Sequence, residues 1–154
     1  MNEFPSHFRE NADASIGFSF IRVYNLWHRK IKSELQKIEL THPQFVILAT
    51  LGYLEQFNTE ITQINISQNA DMDVMTVSTI LKNMENKQWI IRFPSEKDTR
   101  AKAVSLTEKG SGKLAAALPV VERIDSQFFG KLAEKQMEFN QLLHIFLEGG
   151  TDDD

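Results

Sequence analysis

The segment 74–87 is predicted to be a helix that carries short polar side chains suited to hydrogen bonding with nucleic-acid bases. Hydroxyl and amide groups donate and accept hydrogen bonds at base edges in a DNA major groove, and a lysine contacts phosphate oxygens. The exposed side of this helix holds Met75, Thr76, Thr79, Lys82 and Asn83, with Ser78 at its margin. A plain solvent-exposed face has a similar composition, so the surrounding elements must distinguish the two interpretations.

Those surrounding elements predict a helix-turn-helix followed by a β-hairpin. A first helix over 63–70 begins after the N-cap Thr62, and a turn at 71–73 leads into the second helix. Helical spacing of apolar residues gives way to alternation at Trp89, which indicates a hairpin over 89–107. The second helix of a tight pair is the usual recognition helix. We therefore predict DNA contacts from its polar face and from Thr62 and Gln63.

The loop of the hairpin, 94–102, carries charges that alternate in sign and is predicted to be too polar to pack. Arg100 lies at its projected tip, where a permanently charged guanidinium suits the negative potential of a narrow minor groove. Arg92 and Lys102 complete the predicted DNA-binding set. Asp98 would repel phosphate, so it is predicted to orient Arg100 or to pair with Arg92 through charge-assisted hydrogen bonds.

The charge distribution agrees with a basic module on an acidic scaffold. The chain has a net charge of −4, but residues 76–113 contain eight Lys or Arg and four Asp or Glu. The remainder contains nine basic and seventeen acidic residues. Such an asymmetry is expected of a nucleic-acid-binding lobe, although a solvated surface could also produce it.

The flanking segments, 15–40 and 112–148, are predicted to be helices that join two copies of the chain. Apolar residues cover nearly every side of the first half of the 15–40 helix, so it must be buried on more than one side. A partner subunit would cover it; a central core helix is the alternative. The last helix, over 134–148, is predicted to bury Met137, Phe139, Leu142, Leu143 and Phe146.

The predicted fold is therefore mainly α with a small β-hairpin wing, an α+β arrangement. A DNA-binding lobe over 41–111 lies between the dimerisation helices, with a flexible arm at 1–14 and a disordered acidic tail at 149–154. Thr41 with Gln44 predicts a capping box, with Pro43 in the first helical turn. Gly52 is predicted to mark a close approach, and Pro119 to bend the long helix that contains it.

Several kinds of chemistry are excluded by the composition. The chain has no cysteine, and its four histidines show no metal-binding spacing, so neither a metal site nor a cofactor is predicted. No nucleophile, base and orienting acid assemble, which argues against an enzyme. The sequence shows neither a membrane span nor a signal peptide, and a cytoplasmic location without membrane contact is expected. A small aromatic or phenolic effector could bind among Tyr24, Trp27, His28, His42 and Phe45, although core packing is the favoured interpretation of these residues.

Short motifs spread over about residues 16–148 resemble the MarR family (multiple antibiotic resistance type) of winged-helix regulators. They begin with Leu40-Thr41, Gln44-Phe45 and Leu48, and continue through Thr62-Gln63, Ile66-Ser67 and Thr76-Val77-Ser78. Met84-Glu85 with Lys87 and Ile91-Arg92 follow, and the set ends with Asp98, Arg100 and Leu106-Thr107-Glu108-Lys109-Gly110.

This resemblance implies a homodimer, with recognition helices in successive major grooves of a pseudo-palindromic duplex, wings in the minor grooves and, in many members, release by a small ligand. It favours a ligand-responsive repressor; the alternative is a winged-helix protein-interaction module without specific DNA binding. Two residues depart from the family pattern. Gln88 stands where glycine is usual, at a helix end that favours positive φ, and Thr79 stands where many members have arginine.

Overall fold

The computed structural model describes residues 2–148 as six α-helices, two short 3-10 turns and a small antiparallel sheet. The helices are α1 (Ile16–Gln36), α2 (His42–Glu55), α3 (Gln63–Ala70), α4 (Val74–Asn86), α5 (Glu108–Phe129) and α6 (Gln136–Glu148). The 3-10 turns at Ala12–Ala14 and Gly130–Lys135 precede α1 and α6. Across residues 2–148, no helix combines the length and apolar character needed to cross a bilayer.

The sheet contains β1 (Ile61–Thr62), β2 (Ile90–Pro94) and β3 (Lys102–Leu106), in the order β1-β3-β2. The hairpin pairs Ile90 with Leu106 and Pro94 with Lys102. The predicted fold class, mainly helical with a small β wing, is confirmed. Sequence periodicity did not indicate β1, because two residues are too few to show alternation.

The helix starts follow the capping signals in the sequence. Thr41 and Gln44 form the predicted capping box, in which the backbone N–H of Gln44 donates to Thr41 Oγ1 at 3.2 Å. Thr62, Asp73 and Thr107 cap α3, α4 and α5 through their side-chain oxygens. Each such cap stabilises its helix by about 1 kcal/mol.

The core of the lobe over residues 41–111 lies where α2, α3, α4 and the sheet meet. Helix α2 contributes Phe45, Ile47, Leu48 and Leu51, all buried. Helix α4 adds Val77, Leu81 and Met84 from the side opposite its polar face, and each of these is fully buried. This packing leaves the polar side of α4 directed outward.

Three expectations about the flanking helices differ from the structure. Helix α1 ends at Gln36 rather than 40, and the turn that follows contains Glu39 at φ 58°. Helix α6 begins at Gln136, after a turn in which Ala133 has φ 51°. The predicted burial of Met137, Leu142 and Phe146 is wrong for the single chain, since they are 75, 51 and 77% exposed.

The chain ends bear on two further expectations. The predicted acidic tail at 149–154 lies outside the described residues. Within the predicted arm, Asp13 belongs to the first 3-10 turn and forms an ion pair of 2.9 Å with Arg22 of α1.

Two glycines lie at close approaches between elements. A Cβ on Gly52 would lie 2.6 Å from Leu114 Cδ2, so α2 and α5 meet closely there, as predicted. A Cβ on Gly110 would lie 1.9 Å from the backbone oxygen of Trp89. Since a backbone carbonyl cannot move aside as a side chain can, the first turn of α5 requires glycine at position 110.

We expect Gly110→Ala to destabilise the fold by about 1–3 kcal/mol, because the added methyl overlaps the Trp89 carbonyl group. Gly112→Ala is the matched control, since nothing lies within 4 Å of its Cβ position. In that variant the better helix propensity of alanine should stabilise the fold by about 1 kcal/mol. Urea unfolding monitored by circular dichroism measures the free energy of unfolding of both variants. Equal stability of the two variants would contradict the close contact.

Candidate nucleic-acid interface

The polar face of α4 presents small groups with defined hydrogen-bonding roles. Met75 is 78% exposed, and Thr76 and Thr79 are also exposed. The Thr79 hydroxyl donates to the Met75 carbonyl at 3.0 Å, and the Thr76 hydroxyl donates to Asp73 at 3.3 Å. Because both hydroxyl protons are used within the helix, these threonines offer outward an acceptor oxygen and a methyl group.

The C-terminal half of this face offers donors. Lys82 and Asn83 are exposed, whereas Ser78 is half-buried, which agrees with its predicted position at the margin. The Asn83 side-chain oxygen accepts a hydrogen bond of 3.1 Å from Gln44 Nε2 of α2. The structure therefore brings the six predicted α4 residues onto one surface and ties one of them to α2.

Arg92 occupies a different environment from the one predicted. Its side chain is only 12% exposed, and its guanidinium donates to Glu85 at 3.2 Å and to Gln63 at 3.0 Å. The hydrogen bond from Arg92 keeps the pKa of the Glu85 carboxyl below its usual value. Arg92 thus links β2 to α3 and α4, and its predicted pairing with Asp98 is wrong.

The wing loop is ordered by a carboxylate that the sequence did not single out. Glu60 accepts hydrogen bonds from Ser95 Oγ at 2.6 Å and from the Glu96 amide at 2.8 Å. These two bonds lower the pKa of Glu60. Ser95 is 3% exposed, which contradicts the prediction that the loop is too polar to pack. Nothing local in the sequence marks Glu60, since its partners lie about 35 residues away.

Asp98 and Arg100 lie together in the turn of the wing. Asp98 Oδ1 accepts the Arg100 backbone N–H at 3.0 Å, so the carboxylate fixes the backbone at the tip rather than the guanidinium. Within residues 2–148, the Arg100 side chain forms neither an ion pair nor a hydrogen bond. Arg100 and Lys102 are both exposed. The tip therefore presents a permanently charged side chain to solvent.

The predicted ligand pocket is in part an aromatic cluster between α1 and α2. The Nδ1 atoms of His28 and His42 are 2.9 Å apart. The Tyr24 ring stacks on the His28 ring with a centroid distance of 5.4 Å, and the Trp27 ring meets the His42 ring edge-on with a centroid distance of 5.2 Å. Trp27 Nε1 donates to Asp125 of α5 at 2.8 Å. Phe45 does not line this cluster's cavity; it is 8% exposed and belongs to the lobe core.

A cavity of about 320 Å³ adjoins the two histidines, near the small end of the range for ligand sites. Its lining residues are His28, Lys32, Gln36, Leu40, Thr41, His42 and Pro43. Burial and the neighbouring His28 lower the pKa of His42 to about 4, so its ring is neutral at pH 7. In the part of the chain that the structure describes, no three His, Asp or Glu side chains gather to hold a metal ion.

Comparison with known proteins places the chain among winged-helix regulators. The family description "ArnR1-like, winged-helix domain" matches residues 36–124. The HTH-type transcriptional regulator YdcH of Bacillus subtilis (strain 168) is 35% identical over 124 residues, which cover 80% of this chain and 84% of that protein.

Two solved structures share the fold. A mutant MarR from E. coli complexed with operator DNA has a TM-score of 0.76 at 19% identity, covering 92% of this chain and 98% of that chain. BpsR of Bordetella bronchiseptica, whose DNA binding is regulated by 6-hydroxynicotinic acid, has a TM-score of 0.73 at 21% identity. The match covers 84% of this chain and 96% of that chain. The chain belongs to the ArnR1-like winged-helix family of HTH-type transcriptional regulators, and its fold is the MarR-type fold that the sequence resemblance implied.

Proposed function

We propose that the protein is a cytoplasmic, homodimeric, sequence-specific repressor that binds a pseudo-palindromic operator and responds to a small aromatic effector. One observation carries the DNA-binding part of the proposal. A groove between α4 and the wing is lined by Arg92, Arg100 and Lys102 around Glu85. Glu85 belongs to α4, whose polar face carries groups for base edges, and Arg100 and Lys102 supply cations for phosphates from the wing. The E. coli MarR with the same fold was crystallised with operator DNA.

The two parts of this surface have different roles in the proposal. The threonines and Asn83 of α4 lie in a major groove, where base edges distinguish all four base pairs. Arg100 reaches an adjacent minor groove from the tip of the wing. Arg92 positions the wing against α4 without itself being free to contact the DNA, since Glu85 and Gln63 engage its guanidinium.

Arg100→Ala should weaken operator binding and reduce the slope of log affinity against log salt concentration by about one, because one cationic contact is lost. Lys97→Ala is the matched control, since it removes the same charge from the same exposed loop. The Lys97 variant should lose less affinity if Arg100 contacts the minor groove. Fluorescence anisotropy from 50 to 200 mM salt, with a duplex selected from genomic fragments, measures both. Wild-type affinity in the Arg100 variant would contradict the wing assignment.

Exposed apolar side chains on α1 and α6 support the dimer. Phe20, Ile21 and Leu26 of α1 are 62, 47 and 50% exposed, and Ile145 and Phe146 of α6 are 64 and 77% exposed. A single chain rarely exposes so many large apolar residues, and such patches mark protein–protein contacts. A second copy of the same helices would cover them through a symmetric interface.

Sedimentation equilibrium should therefore give twice the chain mass of 17.7 kDa. Ile145→Glu should shift the species toward the monomer, because a carboxylate would be buried without a partner. Ile64→Glu provides the control, since Ile64 of α3 is 50% exposed but lies outside the proposed interface. A monomeric wild-type chain, or an Ile145 variant that remains dimeric, would contradict this interface.

The cavity beside His28 and His42 supports the response to an effector. Lys32 supplies a cation for a carboxylate, while Leu40 and Pro43 supply apolar contacts for an aromatic ring. BpsR, of the same fold, is regulated by an aromatic acid. The neutral His42 ring contributes a hydrogen bond without a second positive charge.

Titration with a panel of hydroxybenzoic acids should change the fluorescence of Trp27, whose ring contacts His42. Trp27→Phe should abolish the change, which excludes a signal from Trp89, and Lys32→Ala should weaken the binding. DNA affinity should fall over the same concentration range. Unchanged fluorescence together with unchanged DNA affinity would argue against a sensor for acids of this class.

A further inference from the structure

A chain of hydrogen bonds runs from the start of α2 to the polar face of α4. The backbone N–H of Thr41 donates to Gln44 Oε1 at 3.0 Å. A backbone N–H can only donate, so this bond fixes which end of the Gln44 amide faces the helix cap. The Gln44 residue is 8% exposed, which limits its alternatives. Its amino group must therefore point away from Thr41.

The next hydrogen bond in this chain fixes the orientation of the Asn83 side-chain amide. Gln44 Nε2 donates to Asn83 Oδ1 at 3.1 Å, so the oxygen of the second amide faces inward. Asn83 is exposed on α4, and its Nδ2 amino group has no hydrogen-bond partner among residues 2–148. A free asparagine offers either end of its amide to a ligand. Here the outward end is held as a donor.

We infer that Gln44 is a positioning residue that makes Asn83 a one-way donor to an acceptor atom on DNA. This inference rests on the proposed function, in which the polar face of α4 contacts the duplex. The matching acceptors are guanine N7 and O6, adenine N7, thymine O4 or a phosphate oxygen. Gln44 occupies one lone pair of the Asn83 oxygen, so the two-bond pairing of asparagine with adenine is open only to the second lone pair, in the orientation that Gln44 fixes.

Gln44→Glu tests this inference. The glutamate carboxylate still accepts the Thr41 N–H, but it has no N–H to donate to Asn83 Oδ1. Glutamate is as suitable as glutamine at this position of a capping box, so α2 should still form. Asn83 would then turn its amino group toward the carboxylate and present its oxygen to the DNA. We expect about a tenfold loss of affinity for a duplex selected from a random-sequence pool, equivalent to one hydrogen bond of about 1.4 kcal/mol.

The added negative charge is controlled by repeating the substitution in an Asn83→Ala background. Asn83→Ala alone should also lose about tenfold, and Gln44→Glu should then cost no more than about a further twofold. An equal loss in both backgrounds would show that Gln44 acts through charge or through the fold, and would overturn the inference. Thermal unfolding without DNA should give the same midpoint for Gln44→Glu and wild type within a few degrees.

The same variants identify the acceptor. If it is a base, the loss caused by Asn83→Ala disappears on a duplex changed at one base pair. If it is a phosphate, the loss has the same factor on an unselected duplex. Failure of the wild-type protein to bind any duplex above the non-specific level of about 10⁻⁴ to 10⁻⁶ M would instead overturn the proposed function. Tight wild-type binding with independent effects of the two substitutions would overturn only the role of Gln44.

Discussion

The backbone around Trp89 is the constraint on which the arrangement of the recognition helix, the wing and α5 depends. The Trp89 N–H donates to the Met84 carbonyl at the end of α4, and its own carbonyl accepts the Thr107 N–H at 3.0 Å. Gln88 reaches this junction with φ 64°, where a side chain costs about 1 kcal/mol relative to glycine. Gly110 then allows α5 to begin directly against the same carbonyl. A larger residue at position 110 would separate α5 from the wing.

Side-chain hydrogen bonds connect this junction with the surface proposed to contact DNA. Arg92 holds β2 against α3 and α4, while Glu60 holds the wing loop from the residue before β1. The exposed donors and cations are thus placed by partly buried polar groups, whose hydrogen bonds fix directions that apolar packing alone would leave variable.

The sequence predicted the features that depend on neighbouring residues. The Thr41 and Gln44 box and the caps at Thr62 and Asp73 arise within a few positions of the chain. The positive φ at Gln88 was expected from the family resemblance instead, which has glycine at that position. The pairing of Glu60 with Ser95 and that of Gln44 with Asn83 join residues about 35 and 39 positions apart. Periodicity and capping rules contain no term for such pairs, and for the same reason the sequence did not indicate that Arg92 would bond to Gln63 and Glu85.

Helix α6 is a second example of a contact that helical periodicity does not specify. Its spacing identified an apolar face correctly, but periodicity does not say whether that face packs within the chain or against another copy. Leu142 and Ile145 of this face do not pack within the chain, since the single chain leaves them exposed. In the proposed dimer, the identical face of a second copy would lie opposite them.

The first turn of α2 connects the cavity with the recognition surface. His42 and Pro43 line the cavity, and Gln44, the next residue, bonds to Asn83 of α4. A molecule bound beside His42 would therefore act on the same helical turn that orients the Asn83 amide. Hydrogen bonds weaken steeply below an angle of about 120°, so a rotation of this turn that bends the Gln44–Asn83 bond beyond that limit would release the amide. A ligand shifts such an equilibrium only as far as it prefers the rotated turn, so its contacts with His42 and Pro43 would set the size of the response.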